Sequence, residues 1–375
     1  MAINTQNIQL PKALQVLLIL FLGIAALIFA KPFLVPLCFA GLFAMLLLPL
    51  SRKMQNKGIK KGLAAFLSVL LFLSIIAIII WLVTWQVGNL AEDLGNIEEQ
   101  VKKVLQQGKD FIAQVFGISE QKQKEAIEKQ SENADSLLVN ISTSLMGFVV
   151  DFILMVVYIF LLLYYRGHIK NFIMQLMPAK SEDNTDDAIH AIEKVSQQYI
   201  TGLGIMIVCL WIMYSIGFTI LGLKNAILFA ILCGLFEIVP FVGNLTGNAL
   251  AAIMALAQGG GMALVLGILI TYATVQFLQS YILEPLVVGT EVNINPLFTI
   301  AGLVAGELIW GIPGLVLAIP LLGITKIICD HIPALQPYGF LIGRARSKKD
   351  VPTLVDKMKN LFKKQTPVAK AKKSK

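Results

Sequence analysis

The sequence predicts an all-α integral membrane protein, with about eight transmembrane segments or, alternatively, six segments plus two re-entrant hairpins. Three observations predict it. Of 375 residues, 57% are hydrophobic and 14% charged, against the roughly 25% charged residues usual in soluble domains. Mean hydropathy is +0.75, and the apolar residues gather into runs of membrane-crossing length. Basic residues collect in the short loops between those runs, as the positive-inside rule requires of a multi-pass protein.

The composition excludes several function classes. Cys38, Cys209, Cys233 and Cys329 lie in or beside apolar runs without paired spacing, so they read as small core hydrophobes. His168, His190 and His331 stand far apart and offer no metal site. No nucleophile-elbow, phosphate-loop, dinucleotide or zinc-hydrolase pattern is present. The reading is a non-enzyme without a cofactor.

Ala13 to Ala30 and Phe33 to Leu50 are two 18-residue apolar runs split by Lys31-Pro32, which predicts a helical hairpin. Lys12 is the sole early positive charge and no small-residue cleavage site precedes Lys31, so the first run is expected to stay in the membrane. Arg52, Lys53, Lys57, Lys60 and Lys61 follow without an acid. That loop is cytoplasmic by charge, and the N-terminus with it. A third span covers 62–85, with Trp81 and Trp85 at its outer end.

Residues 86–141 turn polar, with ten acids against six lysines. Leu90, Leu94, Ile97, Val101, Val104, Phe111, Val115 and Ile118 keep heptad spacing there, skipping one position. This extracytoplasmic extension is expected to pack on itself or on neighbouring protomers of a homo-oligomer. Ser144 to Tyr165 is a fourth span, whose Asp151 reads as paired near an interface in preference to ligating an ion. Arg166, His168 and Lys170 mark the return to the cytoplasm, and apolar residues at helical spacing between Ile169 and Val195 predict amphipathic helices along the inner surface.

The second half carries the functional signal. Tyr199 to Gly222 is a full span, followed by runs of about 14 and 15 residues meeting at Val239-Pro240-Phe241-Val242-Gly243. Met262 to Leu283 is again a full span, followed by two short runs meeting at Gly311-Ile312-Pro313. Neither member of a short pair crosses ~30 Å of hydrocarbon alone. Asn225 and Asn295 each open a short run, and Glu237 and Glu307 each lie 12 residues further on. Paired, Gly/Pro-interrupted short segments in two related halves point to the binding site of a transporter. If each pair returns to its own side, the repeat is inverted.

Twelve Lys and Arg from Arg344 onward face two acids, which predicts a cytoplasmic tail on anionic lipid. A membrane tether leaves no case for nucleic acid. The chain thus divides into N-terminal membrane helices 1–85, the extension 86–141, a span with its linker 142–198, a transport core 199–330 and the basic tail 331–375.

Polar residues in the core are the candidate substrate or ion ligands: Glu237, Asn244, Asn248, Gln276, Gln279, Glu284, Asn295 and Glu307. Carboxylates and unwound carbonyls suit sodium or a proton, whereas amides and helix N-termini suit a small polar solute. Pro240, Gly243, Pro285, Pro296, Gly311, Pro313 and Gly314 are the candidate hinge or gating positions.

The segments FEIVPFVGNLTG, YILEPLVVGTEVNINPL and GELIWGIPGLVLAIPLLGITKII, in that order and spacing, resemble the autoinducer-2 exporter family of membrane permeases. The resemblance covers nearly the whole chain. It implies a homo-oligomeric, possibly pentameric, secondary transporter of the bacterial inner membrane, with both termini cytoplasmic. It implies transport of autoinducer-2 or exchange of sodium for protons, with Pro240, Gly243, Glu284, Pro285, Asn295, Pro296, Gly311, Gly314 and Pro320 as motif positions. Pro313 departs from the family pattern, which has an aliphatic residue there. A non-transporting membrane scaffold is the remaining alternative.

Overall fold

The computed structural model describes residues 12–86, 88, 134–176, 182–240, 242–288 and 294–344. The heptad seam from Leu90 to Ile118 and the basic tail beyond Arg344 lie outside them. The described helices are α1 (Lys12–Phe29), α2 (Lys31–Asn56), α3 (Lys61–Gln86), α4 (Ala134–Leu176), α5 (Glu182–Ile220), α6 (Ala226–Phe236), α7 (Val242–Ala257), α8 (Gly261–Leu278), α9 (Pro296–Trp310), α10 (Ile312–His331) and α11 (Gln336–Ile342). A π-helical segment, Gln279–Val288, continues α8.

Among the described residues, six helices are long and apolar enough to cross a membrane: α2, α3, α4, α5, α8 with its extension, and α10. Their outward faces carry Leu, Ile, Phe and Trp, exemplified by Phe148 at 68% and Ile270 at 67% exposure. In water such a surface would drive aggregation; against lipid it is the stable arrangement. The chain is a multi-pass, all-α membrane protein.

Three cores result. Ala40, Ala44 and Leu47 of α2, Ala65, Val69 and Phe72 of α3, and Ile159 and Leu163 of α4 form the first. Leu210, Tyr214 and Phe218 of α5 gather Phe229 and Cys233 of α6, Ala251 and Ala255 of α7, and Ile268 and Val275 of α8 into the second. Val35, Leu42, Trp310 and Leu317 form the third, between α2, α9 and α10. The Trp310 indole N–H also donates to the Leu27 carbonyl at 3.0 Å, in the last turn of α1, where helix carbonyls run out of intrahelical partners. Trp310→Phe is expected to cost about 1 kcal/mol, read as a lower thermal unfolding midpoint in detergent.

One structural difference from the sequence reading concerns 169–195. The helical spacing there belongs to the ends of α4 and α5, not to separate helices lying on the membrane surface. Nothing between Tyr165 and Leu176 breaks α4, so it runs on past the span. Its end is tied to its neighbours by polar contacts. Arg52 of α2 donates to both oxygens of Glu193 at 3.1 Å, Arg166 of α4 donates to Gln55 at 2.9 Å, and Lys170 pairs with Asp186. Such exposed pairs contribute little energy each, but they bring α2, α4 and α5 to one end of the molecule.

The short helices form two antiparallel hairpins. In the first, α6–α7, a Cβ at Gly247 would lie 2.8 Å from the Cys233 Cα, and one at Gly243 would collide with the Phe236 carbonyl. Small residues every fourth position (Gly243, Gly247, Ala251, Ala255) let the backbones approach this closely. At the base, Lys224 N–H donates to Gln258 Oε1 at 3.0 Å. In the second, α9–α10, Gly306 lies against Gly314 and Gly302 against Leu322. Its base is closed by Asn295 N–H donating to the Ile342 carbonyl at 2.8 Å, beside an isolated Ile294–Gly343 bridge.

The two hairpins point in opposite directions. α8 runs antiparallel to α5, with Gly217 against Thr271 and Gly267 against Leu221. The first hairpin hangs from the end that α5 reaches. The second rises from the end to which α8 and its π segment return. At 1.5 Å per residue α6 spans roughly 16 Å and α9 roughly 22 Å, so neither crosses alone, whereas α10, with 20 residues, is long enough to cross. Both short pairs are antiparallel hairpins set in opposite directions, and the second arm of the later pair, expected as a short run, is a helix of crossing length.

Candidate functional site

Both hairpin tips border one cleft of about 350 Å³. Phe236, Val239, Val242, Gly243 and Thr246 line it from the first tip. Glu307, Ile312 and Leu315 line it from the second. Local chemistry explains each turn. At the first tip, Pro240 follows the end of α6 and Gly243 N–H returns to the Val239 carbonyl at 3.0 Å. At the second, Gly311 holds φ 69°, ψ −143°, a conformation open only to glycine. Pro313 sits in the first turn of α10, where a missing N–H has no cost. It opens a helix and breaks none.

Behind the first tip lies a buried polar network. Tyr214 OH donates to Asn244 Oδ1 at 2.9 Å, and Asn248 Nδ2 lies 3.2 Å from the Tyr214 oxygen. Asn248 Nδ2 also reaches the Asn244 carbonyl at 2.9 Å and its Oδ1 at 3.0 Å. Asn244 Nδ2 donates to Gln276 Oε1 of α8, whose amide donates to Ser280 at 3.3 Å. At the start of the π segment, Gln279 Nε2 donates to Glu237 Oε1 at 2.6 Å. The tip is thus flanked by two polar joints to α8, Asn244–Gln276 after it and Glu237–Gln279 before it.

The network is short of donors. Glu237 Oε2, Asn248 Oδ1 and Gln279 Oε1 are buried without a hydrogen-bond partner. Each unmet acceptor in an apolar surround costs on the order of 1–3 kcal/mol. Buried orphans of this kind mark places where water, a proton, an ion or a donor-bearing ligand belongs.

Among the sequence candidates, Glu237, Asn244, Asn248, Gln276 and Gln279 come together here. Glu307 faces the cleft and Glu284 is exposed on the π segment. Asn295 is held apart, its Oδ1 accepting from Leu297 N–H at 3.0 Å as the cap of α9. Pro296 occupies the first turn of that helix, and Pro285 lies within the π segment. Asn225 and Asn295 both precede the first helix of a hairpin, yet Asn225 does so in the left-handed region at φ 57° with no side-chain cap. Glu237 and Glu307 both sit near the end of that helix but address different surroundings.

Tyr214, at the centre of the network with 0% exposure, is absent from the sequence candidates. A tyrosine inside an apolar run is the signal, since a buried phenol needs a partner. Among the described residues no cluster of His, Cys, Asp and Glu could hold a metal ion.

The sequence profile described as "AI-2E family transporter" matches residues 17–334. A "Putative transport protein" of Borreliella burgdorferi is 27% identical over 218 residues, 57% of this chain and 60% of that protein. The "Putative transport protein YueF" of Bacillus subtilis is 26% identical over 245 residues, 62% of this chain and 65% of its own length. A third, YrrI of the same organism, is 28% identical over 133 residues and matched over 37% of its length. The chain therefore spans less than two thirds of the curated relatives it matches here. With the profile covering most of the sequence, over the same inverted hairpins just described, the chain belongs to the AI-2E transporter family.

Proposed function

We propose that the chain is a secondary transporter that moves a small polar solute, of the size and polarity of autoinducer-2, across the bacterial inner membrane by alternating access. The observation that carries this reading is the first hairpin tip, held between a polar joint to α8 on one side and the opposed second tip on the other. Rocking one hairpin against the other exposes the network of Asn244, Asn248, Gln276, Gln279 and Glu237 first to one side and then to the other. Gly243 and Gly311 are the points where each hairpin turns. The basic residues that α2 and α4 bring to one end support a cytoplasmic placement of that end and of both termini. Self-association into a homo-oligomer rests on the heptad seam between 86 and 141.

A second reading draws on the surplus of acceptors. Three orphaned oxygens, one of them on the Glu237 carboxyl beside Gln279, suit a sodium ion or an exchangeable proton. Sodium-dependent alkalinisation in everted vesicles separates antiport from solute flux alone.

Glu237→Gln tests both readings in proteoliposomes. Flux is expected to fall at least tenfold. Equal flux from Glu237→Gln and the parent protein would remove the network from the transport cycle. Flux no greater than that of empty liposomes for the parent protein would favour a scaffold.

A further inference from the structure

We propose that the cleft between the two hairpin tips is a binding site for a small lipophilic ammonium ion, distinct from the polar network behind the first tip. Its volume of about 350 Å³ falls in the range of small-molecule sites, roughly 300–1,000 Å³, whose usual composition is apolar walls with a few placed polar groups. Phe236, Val239, Val242, Ile312 and Leu315 supply the walls. Glu307 supplies the single ionisable side chain of the lining.

Three features fix the sign of the ligand. Among the described residues, Glu307 makes no ion pair and no side-chain hydrogen bond, and its exposed carboxylate opens onto the cleft. Thr246, the other polar lining residue, donates its hydroxyl proton to the Val242 carbonyl at 2.7 Å, so it meets a ligand as an acceptor. Each tip brings one helix C-terminus and one helix N-terminus to the cleft (α6 with α7, α9 with α10), and the opposed partial charges offset. Net attraction is therefore to a cation.

The walls fix the rest of the ligand. Hydroxyls of a sugar-like solute would face Val, Ile and Leu unpaired, at the cost of their lost hydration. An ammonium carrying an apolar body instead buries that body and places its charge on Glu307, with the Phe236 ring able to add a cation–π contact. Lys31, whose Nζ lies 4.0 Å from where a Cβ of Gly311 would be, is outside the lining and marks the rim of the second tip. A bound ligand bridges both tips and holds them at one separation.

Calorimetric titration of the purified full-length chain, in non-ionic detergent and without any gradient, tests the assignment with benzyltrimethylammonium. Saturable binding is expected, weakened at least tenfold by Glu307→Gln and changed less than twofold by Glu237→Gln. The neutral isostere neopentylbenzene is expected not to distinguish Glu307→Gln from the parent protein. Val242→Trp fills the cleft while keeping the charge, and is expected to abolish binding; together with Glu307→Asp it keeps the test decisive if Glu307→Gln misfolds. Equal affinity in the parent protein and the Glu307 and Val242 variants, or sensitivity to Glu237→Gln alone, overturns the proposal. Because no flux is measured, a chain that transports nothing would still give a clear answer.

Discussion

Gly243→Ala is expected to destabilise the protein by about 3 kcal/mol or more, the upper end of overpacking costs, and to abolish transport. The added methyl would land on the Phe236 carbonyl. Main chain cannot rotate away as a side-chain tip can, so relief requires α6 and α7 to separate. Separation would strip Gly247 from Cys233 and disturb Asn244, the next residue along. Gly204→Ala in α5 is the control, because a Cβ there meets nothing within 4 Å. Alanine at that helix position is expected to be neutral or to stabilise by up to about 1 kcal/mol. Thermal unfolding in detergent reads both. A Gly243→Ala midpoint equal to that of the parent protein would mean the hairpin is not packed as described.

Asn244→Leu is expected to cost roughly 2–6 kcal/mol and to eliminate flux. It removes the acceptor of Tyr214 and the donor to Gln276 in one step, leaving a buried hydroxyl and a half-buried amide carbonyl unpaired at about 1–3 kcal/mol each. Adding Tyr214→Phe should recover part of the loss, because it deletes one orphan. The double-mutant cycle then gives a coupling term of opposite sign to the single changes. Strict additivity of the two would show that the hydroxyl and the amide do not share a bond.

Much of this architecture is legible in the sequence. Apolar runs too short to cross, meeting at Pro240 and at Gly311-Ile312-Pro313, announce the two hairpins, whereas the 70-residue offset of Asn225/Asn295 and Glu237/Glu307 pairs residues in unlike surroundings. The direction of return was open, because length alone does not separate a re-entrant pair from a broken span. Close packing of Gly306 on Gly314 and Gly243 on Phe236 decides it, and such contacts are tertiary. The π-helical stretch 279–288 was equally hidden: Pro285 shows that a hydrogen bond is missing, not which register replaces it. Tyr214 was missed because a period-based reading sees an aromatic on an apolar face and assigns it to the core. Asn295 shows the converse, a polar residue whose side chain is occupied by its own helix start.

The closure at the root of the second hairpin gives the end of the chain mechanical leverage. Ile342 and Gly343 are joined through the backbone to Ile294 and Asn295, where α9 begins, and Lys326 and Asp330 pair on the helix between them. Tension on the chain beyond Gly343 is therefore delivered to the foot of α9, instead of being lost in a slack linker. Whatever grips the lysine-rich sequence that follows holds a handle on the second hairpin.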